Sequence, residues 1–376
     1  MRPVTQAKKQ TANNAVLKSM QTVSLIKSDV QFAAKKAGLS YVSDQTPGIR
    51  RYPVKRRGKT AFRYLTPQGK PLKDDLTLSR IKSLVIPPAW TDVWICAQDD
   101  GHIQATARDA RQRKQYRYHK NWRSIRDEAK YGNMLQFASA LPSIREKVSK
   151  ALAMKGLPRE KVIATVVSLI ENTSMRIGND EYARTNQSYG ITTLKGRHVH
   201  LHGTQLEFDF RGKSGVQHTI SLRAPKLSRI IKSMLDLPGQ TLFQYLYEDA
   251  QPHAINSTEV NDYIRSAANG DFTAKDFRTW AGTTFAVKAL LEIGAADTQA
   301  AARKNLVEAI RQVAKKLGNT QAVCRKCYIH PQVAISYMQG TLAEEWQACS
   351  RAVKKGKTVL AEDEAILARL LEKWQK

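Results

Sequence analysis

One tyrosine in this sequence has neighbours that favour chemistry at its hydroxyl group. Tyr328 lies in the segment CRKCYIH (324–330), with Arg325 and Lys326 close to it in the chain. A phenol has a pKa of about 10, so it is a poor nucleophile unless cations stabilise the charge that develops during attack. Packing at a helix edge is the commoner role of a tyrosine. Tyr328 is therefore a candidate nucleophile only if other cationic groups converge on it.

Two arginines have the right chemistry to supply such groups. Arg176 follows the most apolar predicted helix, in SMRIGN, and Arg278 lies in the first turn of another, in KDFRTW. A guanidinium group matches two oxygens of a phosphate, so two of them could bind one phosphodiester. Taken singly, each is more commonly a surface ion-pair partner. Lys213, at a predicted turn, would ordinarily be a solvated lysine, and no spacing rule singles it out.

The cysteine and histidine residues near Tyr328 offer only half of a metal site. Cys324, Cys327 and His330 lack the second ligand pair that a structural zinc site usually has. The four histidines between residues 198 and 218 follow predicted strands, where surface or cross-strand roles are commoner than ligation. A thioredoxin-like motif is not expected either, because no βαβ pattern surrounds the cysteines. We therefore expect no metal.

A basic segment interleaved with aromatic residues spans positions 108–123 and contains a single acid, Asp109. Its members are Arg108, Arg111, Arg113, Lys114, Arg117, Lys120 and Arg123, with Tyr116, Tyr118 and Trp122 between them. Cations neutralise phosphates, and tyrosine adds hydroxyl donors and flat faces for sugar or base. A solvated basic face is the alternative for an isolated cluster.

The charge of the whole chain favours nucleic acid as the partner. The 376 residues include 61 Lys and Arg against 33 Asp and Glu, a formal net charge of +28. Residues 1–130 alone hold 27 basic and 10 acidic side chains, so the first third carries well over half of the excess. Such a balance indicates a polyanionic partner. The basic residues are not placed opposite an apolar helical face, which disfavours a membrane surface.

Other classes of protein are excluded by simple features. The longest apolar run, 162–170, is far too short to span a bilayer. No continuous apolar stretch typical of a secretory signal occurs in the first thirty residues. Four cysteines are too few for a disulfide scaffold in a chain of this length. These features predict a reducing, cytoplasmic location.

The periodicity of the chain predicts an α+β protein in three parts. Residues 1–38 are polar and weakly patterned and predict a mobile or partly helical arm. Residues 39–122 predict a β-rich domain, and residues 123–376 a mainly helical domain, with the linker near 120–135. Strands are predicted at 61–65 and 93–97 and a hairpin at 206–210 and 216–222; helices are predicted at 76–85, 158–173, 257–269, 275–294, 298–318 and 361–374.

The expected helix ends follow from capping chemistry. Ser257 and Thr298 are predicted N-caps, and Gly294 and Gly318 are predicted C-terminal stops. The segment RGKSG (211–215) between the hairpin strands has turn chemistry.

The order of several long motifs resembles one known family, the type IB DNA topoisomerases in their compact poxviral and bacterial form. The resemblance extends from about Tyr41 to about Thr341 and leaves out only the two ends of the chain. The motifs are IPPAWTDVWI (86–95), QATARDARQRKQYRY (104–118), RIGN (176–179), FRGKSG (210–215), KDFRTW (275–280) and the stretch 319–328.

The resemblance implies roles for particular residues. Tyr328 matches the family's nucleophile, and Arg176 and Arg278 match its two arginines. Lys213 matches the general acid, and Asn319 takes the place often held by histidine. The residues that match DNA-contacting positions are Arg113, Lys114, Gln115, Tyr116, Tyr118, Tyr182 and Lys275.

An activity follows from the resemblance as an expectation. Tyr328 would attack a backbone phosphodiester and form a 3′-phosphotyrosyl bond, after which the broken strand swivels and is rejoined. This relaxes supercoiled duplex DNA with neither ATP nor metal. The family also implies a clamp around double-stranded DNA, a monomer and association with the nucleoid. Asn319 cannot carry positive charge, so a pH optimum set by a histidine at that position is not expected.

Two alternatives remain open from the sequence. A tyrosine recombinase has a similar catalytic fold, but it usually places histidine where this chain has Lys275, and it usually ends in a partner-exchanging segment not identifiable in 341–376. The helical tail 361–374 would instead pack within its own chain. A DNA-binding protein that has kept the fold without catalysis is the other alternative.

Overall fold

The computed structural model describes residues 34, 38–56, 59–110, 112–122, 131–246, 251–354 and 360–375. It divides into two units, Met1–Lys130 and Tyr131–Lys376. The predicted N-terminal arm lies outside the described residues apart from Ala34 and Gly38. Arg111, Arg123 and half of the predicted linker also lie outside them.

The first unit contains a five-stranded antiparallel sheet with the order β2-β1-β3-β4-β5. The strands are β1 (Ile49–Arg56), β2 (Lys59–Leu65), β3 (Thr91–Ile95), β4 (Ile103–Arg108) and β5 (Lys114–Tyr118). Helix α1 (Asp75–Ser83) starts where the Asp74 carboxylate accepts a hydrogen bond from the Thr77 amide. Its Ile81 packs with Ile95 and other strand residues in a small core. Because β5 is the last strand in this order, the basic strand lies at an edge of the sheet.

The second unit is mainly helical and is built around one large apolar core. Its helices are α2 (Met134–Leu152), α3 (Arg159–Thr173), α4 (Asp180–Asn186), α5 (Pro225–Leu235), α6 (Ser257–Ala268), α7 (Ala274–Ile293), α8 (Gln299–Leu317), α9 (Gln321–Cys327), α10 (Pro331–Met338), α11 (Leu342–Lys354) and α12 (Glu362–Trp374). The apolar residues of α3 are buried along most of its length. This explains the long apolar run at 162–170, since a helix buried on most sides needs apolar residues on most sides.

Strands β6 (Val199–His202), β7 (Gln205–Arg211) and β8 (Gln217–Arg223) form a three-stranded antiparallel sheet in this unit, and β9 (Gln244–Leu246) pairs with β10 (Pro252–Ala254). Alternate residues of β7 are buried, as the period-two pattern of a one-sided sheet requires. The predicted hairpin is β7–β8. The predicted fold class, a small β-rich domain followed by a mainly helical domain with a hairpin, is confirmed.

Three of the four predicted capping residues, Thr298, Gly294 and Gly318, are confirmed, and one is corrected. The Thr298 hydroxyl accepts a hydrogen bond from the Ala301 amide, and Gly318 closes α8 in the left-handed conformation. The N-cap of α6 is Asn256, however, and not Ser257 as predicted. Asn256 accepts from the Glu259 amide while the Glu259 carboxylate accepts from the Asn256 amide. This reciprocal pair needs a spacing of three residues, which Asn256 has and Ser257 lacks.

The C-terminal helix α12 packs within its own unit. Arg145 of α2 forms two hydrogen bonds of 2.8 and 2.7 Å with the Glu364 carboxylate, and the Trp280 indole donates to Glu364 at 3.2 Å. Leu367 and Leu370 are fully buried in the large core. Apolar burial of this kind makes α12 part of the folded unit. Within the described ranges, no helix is long and apolar enough to cross a membrane.

Candidate active site

Two arginines converge on the C-terminal end of α8. Nη2 of Arg176 donates to the Gly318 carbonyl at 3.0 Å, and its guanidinium also bonds the Asn319 side-chain oxygen. Nη2 of Arg278 donates to the Leu317 carbonyl at 2.9 Å, while Nη1 bonds the Ser174 carbonyl. The last carbonyls of a helix have no intrahelical partner and carry partial negative charge. The guanidinium groups of Arg176 and Arg278 are therefore both hydrogen-bonded to carbonyls at the end of α8.

Arg278 lies in the second turn of α7 and is only 3 % exposed. Burial of a charge is costly unless it is hydrogen-bonded, and two carbonyls meet part of that need. Its Nε atom is buried without a hydrogen-bond partner among the described residues, and so is Nδ2 of Asn319. Buried donors left in this way cost free energy until a ligand accepts from them. Both are available to an anion.

Tyr328 lies beside Arg278, with the guanidinium carbon 5.0 Å from the centre of the tyrosine ring. The tyrosine follows the last residue of α9, and its amide donates to the Cys324 carbonyl at 2.9 Å. Its own carbonyl accepts from the Thr283 hydroxyl of α7 at 3.3 Å. A β-carbon on Gly282 would lie 2.5 Å from that carbonyl, so only glycine allows α7 to approach so closely. Helix α7 thus carries Arg278 and contacts the backbone of Tyr328, which places the two side chains next to each other.

Lys213 lies in a short 3-10 turn, Lys213–Gly215, at the tip of the β7–β8 hairpin. The turn is closed by a hydrogen bond of 2.7 Å from the Gly212 amide to the Val216 carbonyl. The lysine side chain is exposed and lines the same cavity as Arg176 and Tyr328. A hairpin tip has few buried contacts, so this turn can move more easily than the helices around it.

These residues line one cavity of about 1000 Å³ in the second unit. Six cationic side chains line it: Arg176, Lys213, Arg278, Arg311, Lys315 and Lys316. Among the described residues that line the cavity there is no carboxylate. Charges of one sign in a concave site raise the local concentration of counter-ions. The cavity is therefore suited to a phosphodiester.

Burial shifts the pKa of Arg176 and that of the Cys324 thiol in opposite directions relative to neutral pH. Burial, followed by the nearby charge of Arg278, lowers the pKa of Arg176 from an ordinary value far above neutrality. By contrast, burial raises the pKa of the Cys324 thiol to about 11, so that thiol is protonated at neutral pH.

Within the part of the chain that the structure describes, no group of three His, Cys, Asp or Glu side chains could hold a metal ion.

The structure brings together five residues singled out from the sequence: Arg176, Lys213, Arg278, Asn319 and Tyr328. Two others lie elsewhere. Lys275 is exposed in the first turn of α7, and Tyr182 is 39 % exposed on α4; neither lines the cavity.

His218 is a cavity residue that the sequence did not reveal. Its position on a strand suggested a surface or cross-strand role. Its pairing opposite Phe210 places it on the face of the hairpin that carries this buried phenylalanine. That register is the signal from which its location could have been inferred.

In the first unit, three predicted DNA-contacting residues, two at the start of β5 and one directly before it, are held in place by carboxylates. Arg113 forms an ion pair of 2.6 Å with Asp109, and Lys114 one of 2.6 Å with Asp44. Nε2 of Gln115 donates to Asp109 at 2.9 Å. Such contacts order long side chains before any ligand arrives.

The two tyrosines of β5 form a separate feature of the edge strand. The rings of Tyr116 and Tyr118 are stacked, with centroids 5.8 Å apart, and Tyr116 is 40 % exposed. An ordered, exposed aromatic pair beside cations presents both hydroxyl donors and flat faces to a ligand.

Comparison with known proteins identifies relatives of both units. Residues 119–355 match the family described as eukaryotic DNA topoisomerase I, catalytic core. Residues 61–109 match the family described as bacterial DNA topoisomerase IB, N-terminal domain.

Individual relatives agree with these matches. DNA topoisomerase 1B of Acanthamoeba polyphaga mimivirus is 31 % identical over 259 residues, which cover 67 % of this chain and 77 % of that protein. DNA topoisomerase 1B of Vaccinia virus (strain Western Reserve) is 21 % identical over 227 residues, covering 59 % and 68 % of the two chains. DNA topoisomerase 1 of Mycosarcoma maydis is 25 % identical over 184 residues, covering 44 % of this chain and 18 % of its own.

Proposed function

This chain belongs to the type IB DNA topoisomerases, and from that membership we propose that the cationic cavity of its second unit is the site of strand cleavage. Enzymes of this family are isomerases that relax supercoiled duplex DNA by transient single-strand cleavage, and this chain is one of them. The proposal assigns the individual steps to residues of the cavity.

Cleavage begins with attack of the Tyr328 hydroxyl oxygen on the phosphorus of a DNA phosphodiester. The bond from Oη to phosphorus forms as the bond to the 5′-oxygen breaks, and the phenol gives up its proton to solvent water. Lys213 donates a proton to the departing 5′-oxygen, because an alkoxide is a poor leaving group. The products are a 3′-phosphotyrosyl bond and a strand with a 5′-hydroxyl end.

Charge that accumulates on the non-bridging oxygens is stabilised by fixed donors. Arg176 and Arg278 are anchored at the end of α8, and Asn319 adds an amide beside them. Donors held in place before the reaction need no reorganisation in the transition state. The observation that most supports this assignment is that Arg278, whose buried Nε has no partner among the described residues, lines a cavity whose described lining has no carboxylate.

Rejoining reverses the same chemistry. The 5′-oxygen forms a bond to phosphorus as the bond to the Tyr328 oxygen breaks. Lys213 takes back the proton of the 5′-hydroxyl, and the Tyr328 phenolate takes a proton from water. Because the phosphotyrosyl bond conserves the energy of the phosphodiester, we infer that ATP is not required. The cations that stabilise the reaction are side chains, so we also infer that no metal is required. Between the two steps the cut strand swivels about the intact one.

We propose further that β5 of the first unit binds the same DNA duplex and that the enzyme acts as a monomer. The contacts of this unit would come from Arg113, Lys114, Gln115, Tyr116 and Tyr118. A match to a bacterial N-terminal domain family over residues 61–109 supports a bacterial enzyme. Such an enzyme would act on the chromosome, and we therefore place it with the nucleoid in the cytoplasm.

Relaxation of a supercoiled plasmid tests the proposed activity. In EDTA and without ATP, the protein is expected to relax negatively and positively supercoiled plasmid, because swivelling removes turns of either sign. Topoisomer ladders on agarose gels measure the result. Binding without relaxation would contradict the proposal, and exchange of strands between two duplexes would favour the recombinase alternative.

The role of β5 can be tested with two tyrosines of similar exposure. Tyr116→Ser is expected to weaken duplex binding by about 3- to 10-fold, the value of one hydrogen bond of about 1 kcal/mol. Tyr52→Ser is the matched control, since Tyr52 is 42 % exposed on β1 of the same sheet and is not among the proposed DNA contacts. Fluorescence anisotropy with a labelled duplex measures both.

Salt supplies a second measurement on the same duplex. If about six to ten phosphates are contacted, wild-type affinity should fall by roughly 10³–10⁵ between about 50 and 200 mM salt.

The outcome that contradicts a role for Tyr116 comes from a comparison of the two serine variants. Equal duplex affinities of Tyr116→Ser and Tyr52→Ser would remove Tyr116 from the proposed interface.

A further inference from the structure

The imidazole of His218 fills the space between the hairpin that carries Lys213 and the end of α8. A β-carbon on Gly212 would lie 2.5 Å from Cδ2 of His218, and a β-carbon on Gly318 would overlap its Cε1. Gly212 directly precedes Lys213, and Gly318 directly precedes Asn319. The ring is therefore in close contact with the backbone beside two proposed catalytic residues.

The third contact of the ring fixes its orientation. His218 pairs with Phe210 across the hairpin, and the two rings are stacked with centroids 5.3 Å apart and an interplanar angle of 21°. Phe210 is itself buried in the large core. The imidazole is thus supported from the core side and reaches both turns.

We propose that His218 is a positioning residue that holds the Lys213 turn against the Gly318–Asn319 turn, an inference that rests on the proposed function of the cavity. At the hairpin tip, Lys213, Ser214 and Gly215 are exposed, and the half-buried ring of His218 is a support beside this turn. A general acid must lie within hydrogen-bond reach of the leaving oxygen. The distance between Lys213 and the bound phosphate therefore depends on the ring of His218.

The surroundings of the ring favour its neutral form. Burial, followed by the charges of Arg176 and Arg278, lowers the pKa of His218. Lys213 from the hairpin and Lys315 from α8 also face the cavity, and no carboxylate lies among its described lining residues. A proton on the imidazole would place another positive charge against these groups. Repulsion would then move the Lys213 turn away from the end of α8.

A substrate that needs no general acid shows whether His218 acts by positioning Lys213 or affects cleavage in another way. In a duplex with a 5′-bridging phosphorothiolate, the leaving group is a thiolate, and a thiol is a far stronger acid than an alcohol, so the thiolate leaves without being protonated. His218→Ala is expected to slow single-turnover cleavage of ordinary DNA by about 10- to 100-fold. On the phosphorothiolate duplex the same variant should cleave within about 3-fold of wild type, because protonation of the leaving group no longer limits the rate.

Two control variants define the outcome. Lys213→Ala should show the same pattern of loss and rescue, since it removes the general acid itself. His200→Ala should leave both rates unchanged, because His200 is exposed on β6 of the same sheet and does not line the cavity. Equal losses for His218→Ala on the two duplexes, or no loss on either, would overturn the proposal.

A conservative variant keeps the test valid if His218→Ala folds poorly. His218→Gln retains a planar neutral group and is expected to recover cleavage to within about 5-fold of wild type at neutral pH. Wild-type cleavage should fall once the pH drops well below the ordinary imidazole pKa, whereas that of His218→Gln should not, because glutamine does not titrate. An identical acid limb in both proteins would contradict the inference.

The proposed function can fail independently of this inference. Formation of the covalent adduct by wild-type protein on the phosphorothiolate duplex tests the site itself, whatever His218 does. Absence of that adduct would reject the assignment of the cavity, whereas a normal adduct with no phosphorothiolate rescue in His218→Ala would reject only the role of the imidazole.

Discussion

Replacing Tyr328 with phenylalanine is expected to abolish both plasmid relaxation and the covalent protein–DNA adduct, with a loss of at least about 10⁴-fold in the cleavage rate. The substitution removes one oxygen atom and keeps the ring that packs against Arg278. The fold should therefore be unchanged. Denaturing gels of an end-labelled duplex measure the adduct, and agarose gels measure relaxation.

Another tyrosine of the same cavity is the matched control for this prediction. Tyr189 also lines the cavity, and its ring packs against His198 with centroids 4.5 Å apart. Tyr189→Phe is expected to retain cleavage within about 3-fold of wild type, since no bond to phosphorus is assigned to it. An adduct that persists in Tyr328→Phe and disappears in Tyr189→Phe would show that the nucleophile has been assigned wrongly.

Replacing Arg278 with lysine is expected to reduce the single-turnover cleavage rate by about 10²- to 10³-fold, the usual effect of losing one fixed transition-state donor. Lysine keeps a positive charge but lacks the planar guanidinium group. In Arg278 the two terminal nitrogens of that group bond the Ser174 and Leu317 carbonyls, and its Nε has no partner among the described residues and can bond a ligand. Duplex affinity should change much less, because the charge is conserved. Rapid-quench cleavage at saturating enzyme separates the two effects.

Stability must be measured with the same protein, because Arg278 is buried. Two carbonyl groups lose a partner, and each unsatisfied group costs about 1–3 kcal/mol. Arg145→Lys is the matched control: Arg145 is partly buried, bonds Glu364 in a bidentate pair, and does not line the cavity. It should lower the melting temperature without slowing cleavage of the folded enzyme. If Arg145→Lys and Arg278→Lys lost cleavage equally, Arg278 would have only a structural role and no role in catalysis.

Local features of the chain were predictable because their physics is local. The alternation of residues 206–210 and 216–222 corresponds to β7 and β8, since a one-sided sheet imposes a period of two. Thr298 and Gly318 delimit α8 because caps are decided by a few neighbouring atoms. The one cap predicted wrongly, Ser257, was displaced by an adjacent Asn256 that could form the reciprocal pair with Glu259.

Function was predictable to a considerable depth because the motifs retain their order and spacing. The comparisons confirm the type IB family, the fold class and DNA relaxation as the activity. The roles of Tyr328, Arg176, Arg278, Lys213 and Asn319 remain predictions, as do the DNA contacts and the domain boundaries at residues 38 and 122.

By itself, the sequence determined the element types, the family and the candidate residues of the site. Only the tertiary structure decided which of them meet. Arg176 bonds a carbonyl 142 residues away, and Arg278 bonds one 39 residues away. His218 lines the cavity because the hairpin reaches the end of α8, whereas Lys275, three residues from Arg278, is exposed and does not line it. Such meetings depend on how helices pack around a shared core, and helical or strand periodicity in one segment contains no information about the segment on which it will pack.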